Sequence, residues 1–249
     1  MRWTKRSNAR RWGLMTAAAF LMGSAGAQTR PSPQAPAGPP LPAVPAPAPE
    51  PVQAKFTVVL DAAHGGNDPG AHLRGDVAEK DVTLGLATRL RSALRGRGID
   101  VVTTRDADVN LAAVNRAQAA NRAQAAACVV LHATATGSGV HLYTSSLSPA
   151  PMQRLLPWQT AQASYVTQSL KLEAEIDTAL AHAEIPVALG RASVQPMDSL
   201  TCPTVAVEVA PLVGGHVTEG REITDASYQK SVVDAVVAAL AAWHSDWKQ

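Results

Sequence analysis

The strongest constraint on this chain is its repeated alternation of short apolar, β-branched runs with helix-period stretches between residues 55 and 243. Phe56-Thr57-Val58-Val59-Leu60 is the first such run. Ile99-Asp100-Val101-Val102-Thr103-Thr104, Cys128-Val129-Val130-Leu131-His132, Val140-His141-Leu142-Tyr143-Thr144 and Thr204-Val205-Ala206-Val207-Glu208-Val209 follow. Between them Val82, Leu84, Leu86, Ala87, Leu90 and Leu94 recur at helical spacing until Gly96 and Gly98 end the pattern. Further helices are expected from about Leu111 to Ala125, Ala161 to Ala183 and Tyr228 to Trp243. Strands that alternate with helices predict an α/β domain: a mostly parallel or mixed central sheet flanked by helices on both faces. The long helix at 161–183 either packs in the core or covers a site. No internal repeat is visible.

The segment before residue 55 has a different character. Arg2, Lys5, Arg6, Arg10 and Arg11 precede an apolar core from Trp12 to Gly23, and Ala25-Gly26-Ala27 offers small residues for cleavage. This is the pattern of an export signal over residues 1–27, with both general secretion and twin-arginine export open. Its apolar core is short of the roughly 20 residues a membrane span needs, so no transmembrane anchor is expected after cleavage. Ten of the 18 prolines then fall between Pro31 and Pro51, predicting a semi-rigid Pro/Ala spacer over residues 28–54. Residues 55–249 remain, enough for a single domain with a substantial core.

Removing the signal also reverses the charge. The whole chain carries 22 basic and 20 acidic side chains; without the five basic residues of the signal, 17 face 20, a net charge of −3. A nucleic-acid partner is therefore not expected, since that needs clustered basic residues on the mature domain. Two cysteines, Cys128 and Cys202, are too few for a disulfide framework. They either pair across neighbouring strands in an oxidising compartment or sit as two small buried residues.

Chemistry-bearing residues gather at the strand ends. His64 follows the first strand in Asp61-Ala62-Ala63-His64-Gly65-Gly66-Asn67-Asp68-Pro69-Gly70, and His132 closes the third. The C-terminal edge of such sheets is where ligands usually bind. Glu79 opens the first helix, and Glu208 lies inside an apolar strand, where a carboxylate is costly to bury without a partner or a metal. Taken singly, each has a plain structural role: a hydrogen-bonded turn histidine, or an acid at the positive end of a helix. Together, two histidines and a glutamate make one of the ligand sets of hydrolytic zinc sites. No His-Glu-x-x-His or zinc-finger spacing is present.

The run Asp61 to Ala71 resembles the opening motif of the zinc-dependent N-acetylmuramoyl-L-alanine amidases, the amidase_3 family. The likeness continues through Glu79-Lys80-Asp81-Val82, Thr104-Arg105-Asp106-Ala107-Asp108, Arg116-Ala117, Ala120-Asn121-Arg122, Leu131-His132-Ala133 and Pro203 to Glu208. The resemblance implies Zn2+ held by His64, Glu79 and His132, with Glu208 as the catalytic glutamate. It also implies peptidoglycan as substrate, cleaved between N-acetylmuramic acid and the L-alanine of the stem peptide, in the periplasm or outside the cell. An activating or recruiting protein is an open possibility of that reading. The chain departs from the family at Ala62-Ala63, where Pro-Gly is usual, at Ala126 (aspartate), at Thr134 (asparagine), and at Val209-Ala210-Pro211-Leu212, where Gly-Phe and an asparagine are usual. These bear on loop shape and leave the ligand set whole. The alternatives are a catalytically impaired peptidoglycan-binding or regulatory module on the same fold, and a zinc peptidase acting on ordinary peptides.

Overall fold

Six strands hydrogen-bond in one sheet in a computed structural model of the chain, which describes residues 55–152, 155–213 and 220–247. The strands are β1 (Thr57–Ala62), β2 (Asp100–Thr103), β3 (Ala127–Ala133), β4 (Val140–Ser145), β5 (Val187–Ala192) and β6 (Thr204–Val209). The helices are α1 (Glu79–Arg95), α2 (Ala113–Arg122), α3 (Val166–His182) and α4 (Ala226–Trp247). Across the sheet the order is β2-β1-β3-β6-β4-β5. The expected export signal and spacer, residues 1–27 and 28–54, lie outside the described residues. Among those described, no helix is long and apolar enough to cross a membrane.

The sheet is mixed. β2, β1, β3 and β6 run parallel, whereas β4 is antiparallel to β6 and parallel to β5. The connection from β3 to β4 is the short loop 134–139, and so few residues cannot carry the chain back to the opposite edge of the sheet. β4 therefore starts where β3 ends and runs the other way. Its N-terminal half then lies beside the C-terminal end of β6, which is what brings a fourth strand to the site.

Period-two alternation sorts the strand residues onto two faces. On one, Val58, Leu60, Val129, Leu131, Leu142, Val205 and Val207 meet α1, α3 and α4 in the main core. On the other, Val59, Cys128, Val130 and Ala206 pack with Ala117 and Ala120 of α2 and with Met197 and Leu200. Helices thus cover both faces, as the strand–helix alternation predicts. α3 buries Val166, Leu172, Ile176 and Leu180 on the face opposite Glu208, so it is core packing and covers no site. It also starts later than expected, because Trp158–Ser164 forms a 3-10 turn kinked at Thr160.

Cys128 and Cys202 form a disulfide, with their Cα atoms 6.0 Å apart. Of the two alternatives left by the sequence, pairing is the one adopted: Cys202 lies just ahead of β6, beside the start of β3. Closing a loop of sequence separation 74 removes unfolded-chain entropy worth roughly 4 kcal/mol in the chain-entropy account.

Candidate metal centre

The site begins with a backbone that few side chains adopt. Two residues beyond β1, His64 has φ of 64°, in the left-handed region. Arg105 holds this stretch in place. Its buried guanidinium donates to the carbonyls of Ala62 (2.9 Å), Ala63 (3.0 Å) and Lys80 (2.8 Å). Thr83 Oγ1 also donates to Ala63 O at 2.9 Å. The departure at Ala62-Ala63 therefore leaves a turn fastened from outside, by Arg105 and α1. Beneath it, Asp61 is fully buried and accepts from Arg116 (2.7 Å) and Thr104 (2.6 Å). Burial still leaves its carboxyl above the ordinary aspartate value.

His64 is oriented from both sides. Its Nδ1 lies 2.8 Å from Asp68 Oδ2 and its Nε2 lies 3.1 Å from Glu79 Oε2. A carboxylate on one ring nitrogen fixes the other toward the site, the arrangement by which outer groups aim metal-ligating histidines. The hydrogen bond with Glu79, opposed by burial and aided by Asp68, raises the pKa of His64 above its ordinary value. Any cation taken up there competes with that proton.

Glu79 is the first residue of α1, at the positive end of the helix. Its Oε1 accepts from Ala133 N (3.1 Å) and lies 2.8 Å from His132 Nδ1, while its Oε2 accepts from Ala71 N at 2.9 Å. Burial pushes this carboxyl up, but the bonds from His132, His64 and Ala71 outweigh it and hold the group far below the usual glutamate value. Glu79 is thus an ionised carboxylate between two imidazoles. One ligand atom from each of His64, Glu79 and His132 falls within 4.8 Å of the others. The two rings stand nearly perpendicular, with centroids 5.4 Å apart.

Two further observations fit a metal here. His132 Nε2 is buried and has no hydrogen-bond partner among the described residues, an arrangement that costs free energy unless something else occupies the nitrogen. Gly70, at φ of 68°, presses against the cluster. A Cβ there would lie 2.6 Å from both Glu79 Oε2 and His64 Cδ2, so only glycine lets this backbone pass beside the two side chains. Two imidazoles and one carboxylate are a donor set suited to zinc with an open position.

Glu208 stands next to this cluster. On β6 it is in register with His132 of β3 on one side and with His141 of β4 on the other. Side chains level on neighbouring strands share a face, so the three form one polar row across β3, β6 and β4. Glu208 is not sealed in the core: its side chain is 26% exposed, and Oε2 lies 2.7 Å from His141 Nδ1 and accepts from Tyr143 Oη at 3.5 Å. Burial, and next the charge of Glu208, raises the Tyr143 pKa. The structure therefore brings together all four residues singled out in the sequence. Asp68, Arg105, His141 and Tyr143 were not singled out, although the alternation His141-Leu142-Tyr143 already places two polar side chains on one face of β4.

Known proteins match this chain in sequence and in fold. The profile of the amidase_3 family, described as N-acetylmuramoyl-L-alanine amidase, matches residues 58–242. The N-acetylmuramoyl-L-alanine amidase AmiC of Escherichia coli is 26% identical over 227 residues, covering 77% of this chain and 53% of that protein. The endolysin of Bacillus phage SPP1 is 38% identical over 107 residues, covering 40% of this chain and 39% of the endolysin. The chain thus spans about half the length, or less, of these curated relatives. Among solved structures, the amidase Ami1 of Mycobacterium smegmatis superposes with a TM-score of 0.61 at 20% identity, covering 78% of this chain and 98% of that one. The catalytic domain of the amidase CwlV from Bacillus (Paenibacillus) polymyxa gives 0.59 at 22% identity, covering 76% and 98%. With a family match that takes in most of its length, the chain belongs to the amidase_3 family.

Proposed function

We propose that this protein hydrolyses the amide between the lactyl group of N-acetylmuramic acid and the L-alanine of the peptidoglycan stem peptide, with His64, Glu79 and His132 holding a zinc ion and Glu208 as the acid–base. The observation that carries the reading is the convergence of one donor atom each from His64, Glu79 and His132 within 4.8 Å, with Glu208 level with His132 on the adjoining strand. The names of the relatives support the substrate class.

A zinc ion held there supplies Lewis-acid activation, which makes water acidic enough to attack near neutral pH. The chain's own residues do the rest. Asp68 orients His64, and the Ala71 and Ala133 amides keep Glu79 ionised and directed at the two imidazoles. Glu208 accepts a proton from the water that attacks the lactyl carbonyl carbon, and returns it to the alanine nitrogen as the carbon–nitrogen bond breaks. Tyr143 and His141 steady that carboxylate. The same reading takes residues 1–27 as an export signal, 28–54 as a spacer and 55–249 as the catalytic domain, which puts the enzyme in the periplasm or outside the cell.

Zinc-loaded protein is expected to solubilise purified peptidoglycan, to lose that activity when zinc is chelated, and to regain it when zinc is restored. A protein that stays on insoluble peptidoglycan with zinc bound, yet releases nothing, is a binding module, and the reading fails.

A further inference from the structure

His141 lies outside the four-residue set, on a strand that reaches the site only because β4 reverses direction. Three observations give it a specific job. It is in register with Glu208, so the two side chains leave the same face of adjacent strands. Its Nδ1 lies 2.7 Å from Glu208 Oε2, with the imidazole only 15% exposed. The ring is also boxed in from the loop that follows β3. Gly137, at φ of 84°, passes so close that a Cβ there would lie 2.4 Å from His141 Cε1 and 2.5 Å from Nε2. A ring wedged between a glycine turn and its neighbours has little rotamer freedom left.

An ionised carboxylate can only accept hydrogen bonds, so beside it His141 Nδ1 must be the donor. Among the described residues, the hydrogen bonds that Glu208 accepts from His141 and from Tyr143 fall on the same oxygen, Oε2. That leaves Oε1 as the oxygen able to exchange a proton with substrate. Resting on the function proposed above, we infer that His141 is a positioning residue of the reaction: its Nδ1–H clamps Oε2 and thereby aims Oε1 of Glu208 at the scissile amide. His141 acts through Glu208, the side chain to which its Nδ1 is bonded. The arrangement parallels, at the base, the way Asp68 orients His64.

Histidine-to-alanine and histidine-to-asparagine variants separate this from a packing role. Asparagine keeps a donor near the place of Nδ1, whereas alanine keeps none. His141→Ala is expected to bind zinc with wild-type affinity and to keep KM within about threefold, while kcat falls roughly 10–100-fold, the usual range for losing an orienting hydrogen bond. His141→Asn is expected to recover kcat to within about fivefold of wild type. A readout independent of turnover uses the zinc-free protein: nitrogen-15 spectra of the His141 ring are expected to show hydrogen on Nδ1, and Glu208→Ala is expected to shift that resonance. If His141→Ala folds and turns over like wild type while Glu208→Gln is inactive, the role of His141 is overturned and the base assignment stands. If Glu208→Gln is itself fully active, the underlying reading of the site falls instead. An alanine variant whose zinc affinity falls in step with kcat, with no rescue by asparagine, also overturns the positioning role.

Discussion

Glu208→Gln is expected to bind zinc at unit ratio, fold normally and lose about 10³-fold in kcat, within the range that a positioned acid–base supplies. The substitution is nearly isosteric, and the amide oxygen still accepts from His141 Nδ1, so the contacts that hold the side chain survive. What disappears is the capacity to take a proton. Because Glu208 is beside the His64–Glu79–His132 cluster and not in it, zinc content measured by mass spectrometry of the native protein should match wild type. KM should change little, since a group acting only as the reaction proceeds contributes mainly to kcat. Near wild-type turnover would show that the base is another group.

His64→Ala separates the two halves of the site. It is expected to lose zinc and turnover together, with an affinity loss above the roughly 100-fold that follows from removing an outer-shell group alone. The fold should survive, because the side chain is partly exposed and the turn is fastened by Arg105 through the carbonyls of Ala62 and Ala63. His64 occupies a left-handed backbone position, which alanine tolerates less well than asparagine does. His64→Asn is therefore the companion variant: it keeps the backbone comfortable and is expected to show the same loss of metal. Circular dichroism and thermal unfolding of the zinc-free forms give the control. Zinc retained at wild-type affinity in both variants would remove His64 from the ligand set.

Much of this arrangement was legible because buried strands print themselves plainly. β1, β3 and β6 have helices on both sides, so they read as unbroken apolar runs, and one glutamate inside the last run stands out. β5 left no such mark. Val187–Ala192 is an edge strand, with a glycine and an arginine among its six residues and no buried position, so its pattern is neither apolar nor alternating. The helix expected from 161 proved shorter for a different reason: Gln162 turns inward to bond Leu200 O and Cys202 O, and a 3-10 turn suits that better than a continued α-helix. His141 went unread because its worth depends on strand direction. Only an antiparallel β4 sets it level with Glu208, and the direction of β4 is decided by a short loop, not by the strand's own residues. The departures after Glu208 have structural partners too. Ala210 pairs its amide with Gly139 O, and its carbonyl accepts from the buried Tyr228 hydroxyl.

In the proposed reaction four side chains, drawn from β1's turn, α1, β3 and β6, act on one particular amide. Mass analysis of the products from a defined muramyl peptide, incubated with the zinc-loaded protein, tests it most directly. Two products are expected: a muramic acid ending in a free lactyl carboxylate, and a peptide whose new amino terminus is L-alanine. Cleavage within the peptide, or an uncut substrate with zinc bound at unit ratio, would contradict it.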